Sequence, residues 1–121
     1  MYNYKKHLIS EHAQIKEALL ILNTLASDAI LFVVNKELQL IGSLTDGDVR
    51  RGLLNKLDID DDVTLFVQKN PRFIRKDNYN IKDIIELREK NFNVIPVVDK
   101  HKKVINILNF RVQKSYLPVD A

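Results

Sequence analysis

The sequence predicts an α+β fold made of two repeated helix–strand–strand–helix units, packed sheet to sheet about a pseudo-twofold axis. Three observations carry that prediction. Residues 31–44 return, shifted by 64, as residues 95–108, with five identities: Val33 and Val97, Val34 and Val98, Lys36 and Lys100, Ile41 and Ile105, Leu44 and Leu108. The helix opening Ile15-Lys16-Glu17 returns as Ile81-Lys82-Asp83 ahead of that strand pair. In the first copy the strand pair then runs straight into a helix through Ile41-Gly42-Ser43-Leu44-Thr45-Asp46-Gly47-Asp48-Val49-Arg50-Arg51. Short apolar strands match by chance, so the shared helix opening and shared turn weigh more than the strand identities. A duplicated unit explains all of them. A unit of about 50–60 residues buries too little apolar surface alone. The two are therefore expected to pack together and to leave a cleft between them.

In order along the chain, Ile15, Ala18, Leu19 and Leu22 fall at i, i+3, i+4 and i+7, with Lys16, Glu17 and Asn23 between them. Residues 14–25 thus read as an amphipathic helix, preceded by Ser10 or Glu11-His12 and broken by Ser27-Asp28. Residues 29–34, Ala-Ile-Leu-Phe-Val-Val, show no polar alternation, as in a strand covered on both faces. Asn35-Lys36-Glu37 turns the chain into a second strand, residues 38–44, which crosses a glycine turn into a helix over residues 48–56. Asp58, Asp60 and Asp62 open like a calcium loop. Val63 then stands where the loop needs glycine, and Lys69 where it needs glutamate, so that reading fails. The stretch reads instead as a solvated linker, with Asp61 or Asp62 capping a short helix through Val67. Asn70-Pro71 ends it. In the second copy Ile84, Ile85 and Leu87 lie on or near the buried face of the repeated helix. The expected organisation is a first unit at 8–57, the linker and short helix at 58–71, a second unit at 72–115, and the start of a further linker at 116–121.

The totals bound the function. A chain of 121 residues makes one compact domain, and 45% hydrophobic with 29% charged residues is an ordinary globular composition. The formal net charge of +3 is too small to argue for nucleic acid. There is no cysteine, which removes disulfides, thiolate metal sites and cysteine nucleophiles. The longest apolar run, residues 29–34, is far short of a membrane span, and no secretory signal is visible, so a cytoplasmic protein is expected. His7, His12 and His101 are scattered in polar surroundings and read as surface residues, not metal ligands. Asp46 and Asp48 have no histidine or third carboxylate at useful spacing, and no serine has triad-like partners, so catalysis by this chain is not expected. The lysines at 100, 102 and 103 lack interleaved aromatics and make a poor nucleic-acid patch.

A strand that empties into a helix gathers free N–H groups and a positive dipole end at one place, where anions bind readily. Thr45 and Asp48 add a hydroxyl and a carboxylate with the spacing T-x-x-D. One reading is a capping box, with Thr45 as cap and Asp48 reaching back. The other is a nucleotide contact, with the carboxylate accepting from ribose hydroxyls. The second copy bears on the choice, because it has Asn106, Asn109 and Val112 where the first has Gly42, Thr45 and Asp48. Asn109 is a competent replacement cap, but valine cannot reach back. The fold does not need the carboxylate, which favours the ligand reading for Asp48.

With the repeat established, the chain resembles a tandem pair of cystathionine β-synthase (CBS) domains, a Bateman module, over residues 9–112. Gly42-Ser43-Leu44-Thr45-Asp46-Gly47-Asp48 matches that family's G-x-x-T-x-x-D signature, beside Ile15-Lys16-Glu17-Ala18-Leu19, Val33-Val34-Asn35 and Val94-Ile95-Pro96-Val97-Val98-Asp99. The run from Thr45 to Arg51 and the tail Tyr116-Leu117-Pro118-Val119-Asp120-Ala121 are further similar to the CBS pair that precedes bacterial sugar-phosphate nucleotidyltransferase domains. The resemblance implies a regulatory module, not an enzyme. Its effector would be an adenine nucleotide (AMP, ADP or ATP) or S-adenosylmethionine, bound without a metal in the cleft and controlling a catalytic domain outside this sequence. A homodimer formed through CBS pairs is implied, and neither nucleic acid nor membrane is. Carried over, Leu44, Thr45, Asp46, Asp48 and Arg51 would meet ribose and phosphate; Arg50 is the other candidate guanidinium. Phe73, Ile74 and Arg75, with Asn93, Val94 and Ile95, would line the adenine side. The second site, near Ile9, Ser10, Ala29 and Ile30, lacks the carboxylate and is expected to be weak or empty. The alternative is a ligand-free structural or dimerisation module.

Overall fold

The computed structural model describes residues 3–111. The described chain divides into two compact units, one over Lys5–Pro71 and the other beginning at Arg72.

In the first unit a 3-10 turn, Tyr4–His7, leads into β1 (Leu8–Ser10), followed by α1 (Ile15–Leu25), β2 (Ile30–Val34), β3 (Leu40–Thr45) and α2 (Asp46–Leu54). The sheet order is β1-β2-β3, with β1 parallel to β2 and β3 antiparallel to it. Strand β1, too short to show a period, is an element that sequence reasoning missed. Helix α1 buries the face that its spacing predicts, Ile15, Ala18 and Leu22, against Ile9, Leu31, Val33 and Leu44. Asn35 makes the turn after β2 by accepting at Oδ1 from the N–H groups of Glu37 and Gln39.

Residues 58–71 group with the first unit; the acidic start of the stretch is largely exposed but is hydrogen-bonded to α1. Ile15 N donates to Asp61 O (3.0 Å) and Lys16 N to Ile59 O (3.0 Å), and Lys16 pairs with Asp60 (3.1 Å). A 3-10 turn, Val63–Leu65, follows, with Asp62 at its cap position but without a side-chain cap bond; Asp61 Oδ2 instead accepts from Asp58 N. Val63 and Phe66 enter the core, and Gln68 exchanges two backbone hydrogen bonds with Ser43 on the open edge of β3. Two glycines make room. A Cβ on Gly42 would stand 2.8 Å from Gln68 O, and one on Gly52 would stand 2.2 Å from the Phe66 ring. Edge pairing and an aromatic in the core explain why an acidic stretch is ordered here.

The second unit repeats this plan with β4 (Ile74–Arg75), α3 (Ile81–Glu89), β5 (Val94–Val98) and β6 (Val104–Asn109), in sheet order β4-β5-β6. The duplication extends to fine detail. Ile30–Thr45 and Val94–Asn109 are equivalent antiparallel pairs, and the register slips at Val33/Val34 in one sheet and at Val97/Val98 in the other. Asp99 Oδ1 accepts from His101 N and Lys103 N as Asn35 does from its turn, and Leu38 and Lys102 both take positive φ, 64° and 66°. These backbone bonds hold the Asp99 carboxyl below the usual carboxylate range. Ile84 is buried with Ile74, Ile95 and Phe110, whereas Ile85 is exposed. Val112, the end of the second unit and the 116–121 tail lie outside the described residues.

Candidate functional site

The site expected from sequence divides into two groups of residues, one in each unit. In the first unit, β3 passes into α2 without a loop. The helix begins at Asp46, earlier than expected, because Thr45 is the N-cap and Gly47 lies inside the first turn, not in a turn before it. The capping box is complete. Thr45 Oγ1 accepts from Asp48 N (3.3 Å), and Asp48 Oδ2 accepts from both Thr45 N (2.9 Å) and Thr45 Oγ1 (3.0 Å). Arg51 closes the constellation by donating to Asp48 Oδ1. The Asp48 side chain is thus only 12% exposed, while that of Arg51 is 67% exposed.

A Cβ built on Gly47 would have the Arg51 guanidinium (3.4 Å) and Thr45 Oγ1 (3.7 Å) as its nearest neighbours. A hydroxyl, a carboxylate, a guanidinium and the positive end of a helix therefore lie together at the start of α2. That set accepts from vicinal hydroxyls and attracts phosphate. Gly47 is the residue whose contribution sequence reasoning overlooked; only the place of the helix start reveals it. Leu44 is fully buried in the core, so it offers only its main chain; Asp46 and Arg50 are exposed.

In the second unit, Asn93, Val94 and Ile95 open β5 beside the end of β6, where Val94 pairs with Asn109 and Asn93 O accepts from Phe110 N (2.8 Å). Ile74 and Arg75 pair further along β5, with Val97 and Val98. Ile74 and Ile95 belong to the hydrophobic core, and Val94 is buried as well. Arg75 is held in a two-pronged pair with Asp77 (3.2 and 3.0 Å). Phe73 lies under the Lys102 ammonium, 5.6 Å from the ring centroid. At the end of β6, Asn109 Oδ1 accepts from Arg111 N (3.0 Å); the helix that Asn109 was expected to cap lies outside the described residues.

One histidine is not where sequence placed it. His7 is fully buried, its Nδ1 2.9 Å from the Ile30 carbonyl, because the 3-10 turn before β1 tucks the ring against β2. Burial lowers its pKa below 6.5, against the raising effect of that carbonyl. Among the described residues no group of three or more histidine or acidic side chains is arranged to hold a metal ion, and no helix is long and apolar enough to cross a membrane.

No family model matches the sequence, and no curated protein matches it. Solved structures do match the fold. The chain is similar to a CBS domain protein from Pyrobaculum aerophilum complexed with AMP, at 16% identity and TM-score 0.67, over 93% of this chain and 86% of that one. It is similar to the cystathionine β-synthase pair domain of a putative Mg2+ transporter from Shewanella oneidensis, at 14% identity and TM-score 0.73, covering 93% and 64%. It also resembles the cytosolic domain of the Mg2+ channel MgtE in complex with ATP, at 21% identity and TM-score 0.68, where it spans 95% of this chain and 46% of that domain.

Proposed function

We propose that this chain, which has the fold of a CBS pair, is a regulatory module that binds an adenine nucleotide. The observation that carries the reading is the Thr45–Gly47–Asp48–Arg51 constellation, whose carboxylate position is valine in the second copy of the repeat. Asp48 would take the ribose hydroxyls, and Thr45 a ribose or phosphate oxygen. Arg51 would leave Asp48 Oδ1 for phosphate, freeing one carboxylate oxygen as the nucleotide arrives. Ile74, Arg75, Asn93, Val94 and Ile95 are assigned to the adenine; with Ile74, Val94 and Ile95 buried, their contribution would come from main-chain groups. Support comes from the AMP and ATP named for two of the similar structures.

Calorimetric titration with AMP, ADP, ATP and S-adenosylmethionine tests the assignment. Asp48→Ala removes one or two hydrogen bonds to a charged acceptor, about 1.5–3 kcal/mol each, hence nucleotide binding weaker by roughly tenfold to a thousandfold or more. Unchanged affinity in that variant would sink it.

A second reading, a ligand-free module for spacing or dimerisation, is favoured by the same geometry. Both Asp48 oxygens are already satisfied inside the helix, as a purely structural cap requires. Its signature is the absence of any thermal shift from these nucleotides. The finer proposal, that the module controls an attached sugar-phosphate nucleotidyltransferase domain, rests on the similarity of residues 45–51 and 116–121. Reading the gene past Ala121 decides it.

A further inference from the structure

Both oxygens of the Asp48 carboxylate are engaged, and they differ in what holds them. Oδ2 accepts from Thr45 N (2.9 Å) and Thr45 Oγ1 (3.0 Å), bonds that belong to the capping box and so to the fold. Oδ1 accepts from the guanidinium of Arg51, a side chain that is 67% exposed. The same guanidinium lies over Gly47, with Nη1 3.4 Å from the place of a Cβ. Oδ1 is therefore the oxygen that a ligand can claim without opening the start of α2, and Arg51 stands on it.

A ribose hydroxyl that donates to Oδ1 competes with Arg51 for it. Moving the guanidinium away separates an ion pair, and the displaced cation is best served by a new anion. A phosphate on the ribose 5′ carbon supplies one, and its oxygens match the guanidinium fork in a two-pronged contact. Adenosine offers only a neutral hydroxyl there. S-adenosylmethionine offers a sulfonium, so a cation would face the displaced cation, with Arg50 exposed one residue away.

We propose, resting on the nucleotide reading of Thr45 and Asp48 above, that Arg51 decides which adenine compounds this site accepts. Its ion pair with Asp48 yields to a 5′-phosphorylated nucleoside and holds against adenosine and S-adenosylmethionine. Arg51 competes with every ribose for Oδ1 but repays only the ligand that brings a phosphate. Removing it therefore acts in opposite directions on the two kinds of ligand. Phosphorylated ones lose a contact, and unphosphorylated ones lose a competitor.

Calorimetric titration of the unaltered chain and of Arg51→Ala with AMP, adenosine and S-adenosylmethionine tests this. The unaltered chain should bind AMP about tenfold or more tighter than either of the others, the factor that one charge-assisted hydrogen bond supplies. In Arg51→Ala that preference should collapse to about twofold or less, with AMP weaker and adenosine unchanged or tighter. Adenosine or S-adenosylmethionine binding the unaltered chain as tightly as AMP does, with binding lost in Asp48→Ala, overturns the role of Arg51 and leaves the nucleotide reading standing. So does a preference that survives Arg51→Ala, or one that collapses in Arg50→Ala instead. Absence of binding by all three compounds overturns both.

Discussion

Asp48 shows how a residue can satisfy two roles and why substitutions separate them. As a helix cap its loss costs about 1 kcal/mol of stability. As a ribose acceptor its loss removes binding by a larger factor than that. Asp48→Asn is the sharper probe, since the amide keeps one acceptor oxygen for Thr45 N but loses the charge. Its melting temperature should fall little, while nucleotide affinity falls by about tenfold or more. Arg51→Ala makes a complementary test. An exposed i,i+3 ion pair is worth about 0.3–0.5 kcal/mol, so stability should hardly move. Affinity for ATP should drop while affinity for adenosine does not, measured by the same titration.

His7 makes a prediction of a different kind. Its pKa is lowered in the folded chain by burial, with Lys6 adding to the lowering and Asp28 and the Ile30 carbonyl opposing it. The unfolded chain therefore binds the proton more readily. The stability associated with neutral His7 is fully present above pH 6.5 and is lost as pH falls from there through the folded pKa. A melting series from pH 8 to pH 5 should show a decline that His7→Gln flattens. An identical decline in that variant would assign the effect elsewhere.

At the scale of elements, α2 is positioned by what its glycines permit. Gly52 lets the Phe66 ring lie on the helix, and the ring brings residues 58–68 into the first unit. Gly52→Ala forces ring and helix apart and should destabilise by about 1–3 kcal/mol, the range for overpacking a core. Combined with Phe66→Leu it should cost less than the two single changes together, because the added methyl then meets a smaller neighbour. Denaturant titration of the three variants measures this coupling. Helix α1 was legible because its apolar face repeats over three turns. Strands β1 and β4 were not, because two or three residues carry no period and gain their place only by pairing with β2 and β5.

At the scale of the molecule, the dimerisation reading is open to test at two exposed leucines. Leu20 on α1 is 72% exposed and Leu54 on α2 is 77% exposed, each on a helix of the first unit. If that face pairs two chains, Leu20→Glu with Leu54→Glu should yield a monomer in analytical ultracentrifugation, with nucleotide affinity changed less than by Asp48→Ala. A dimer that survives both charges excludes this face.

The repeat, the strand pair, the turn at Asn35 and Asp99, and the Thr45–Asp48 pair were all determined by sequence alone, because each depends on residues close together in the chain. Only the tertiary structure decided the rest. It showed that the acidic stretch after α2 belongs to the first unit, that Gly42 and Gly52 exist for Gln68 and Phe66, that His7 is buried, and that Ile74 and Ile95 are core. The physical reason is the same in each case. These roles are set by a partner distant in sequence, and no local pattern encodes which backbone will cross an open sheet edge or which ring will fill a gap beside a helix.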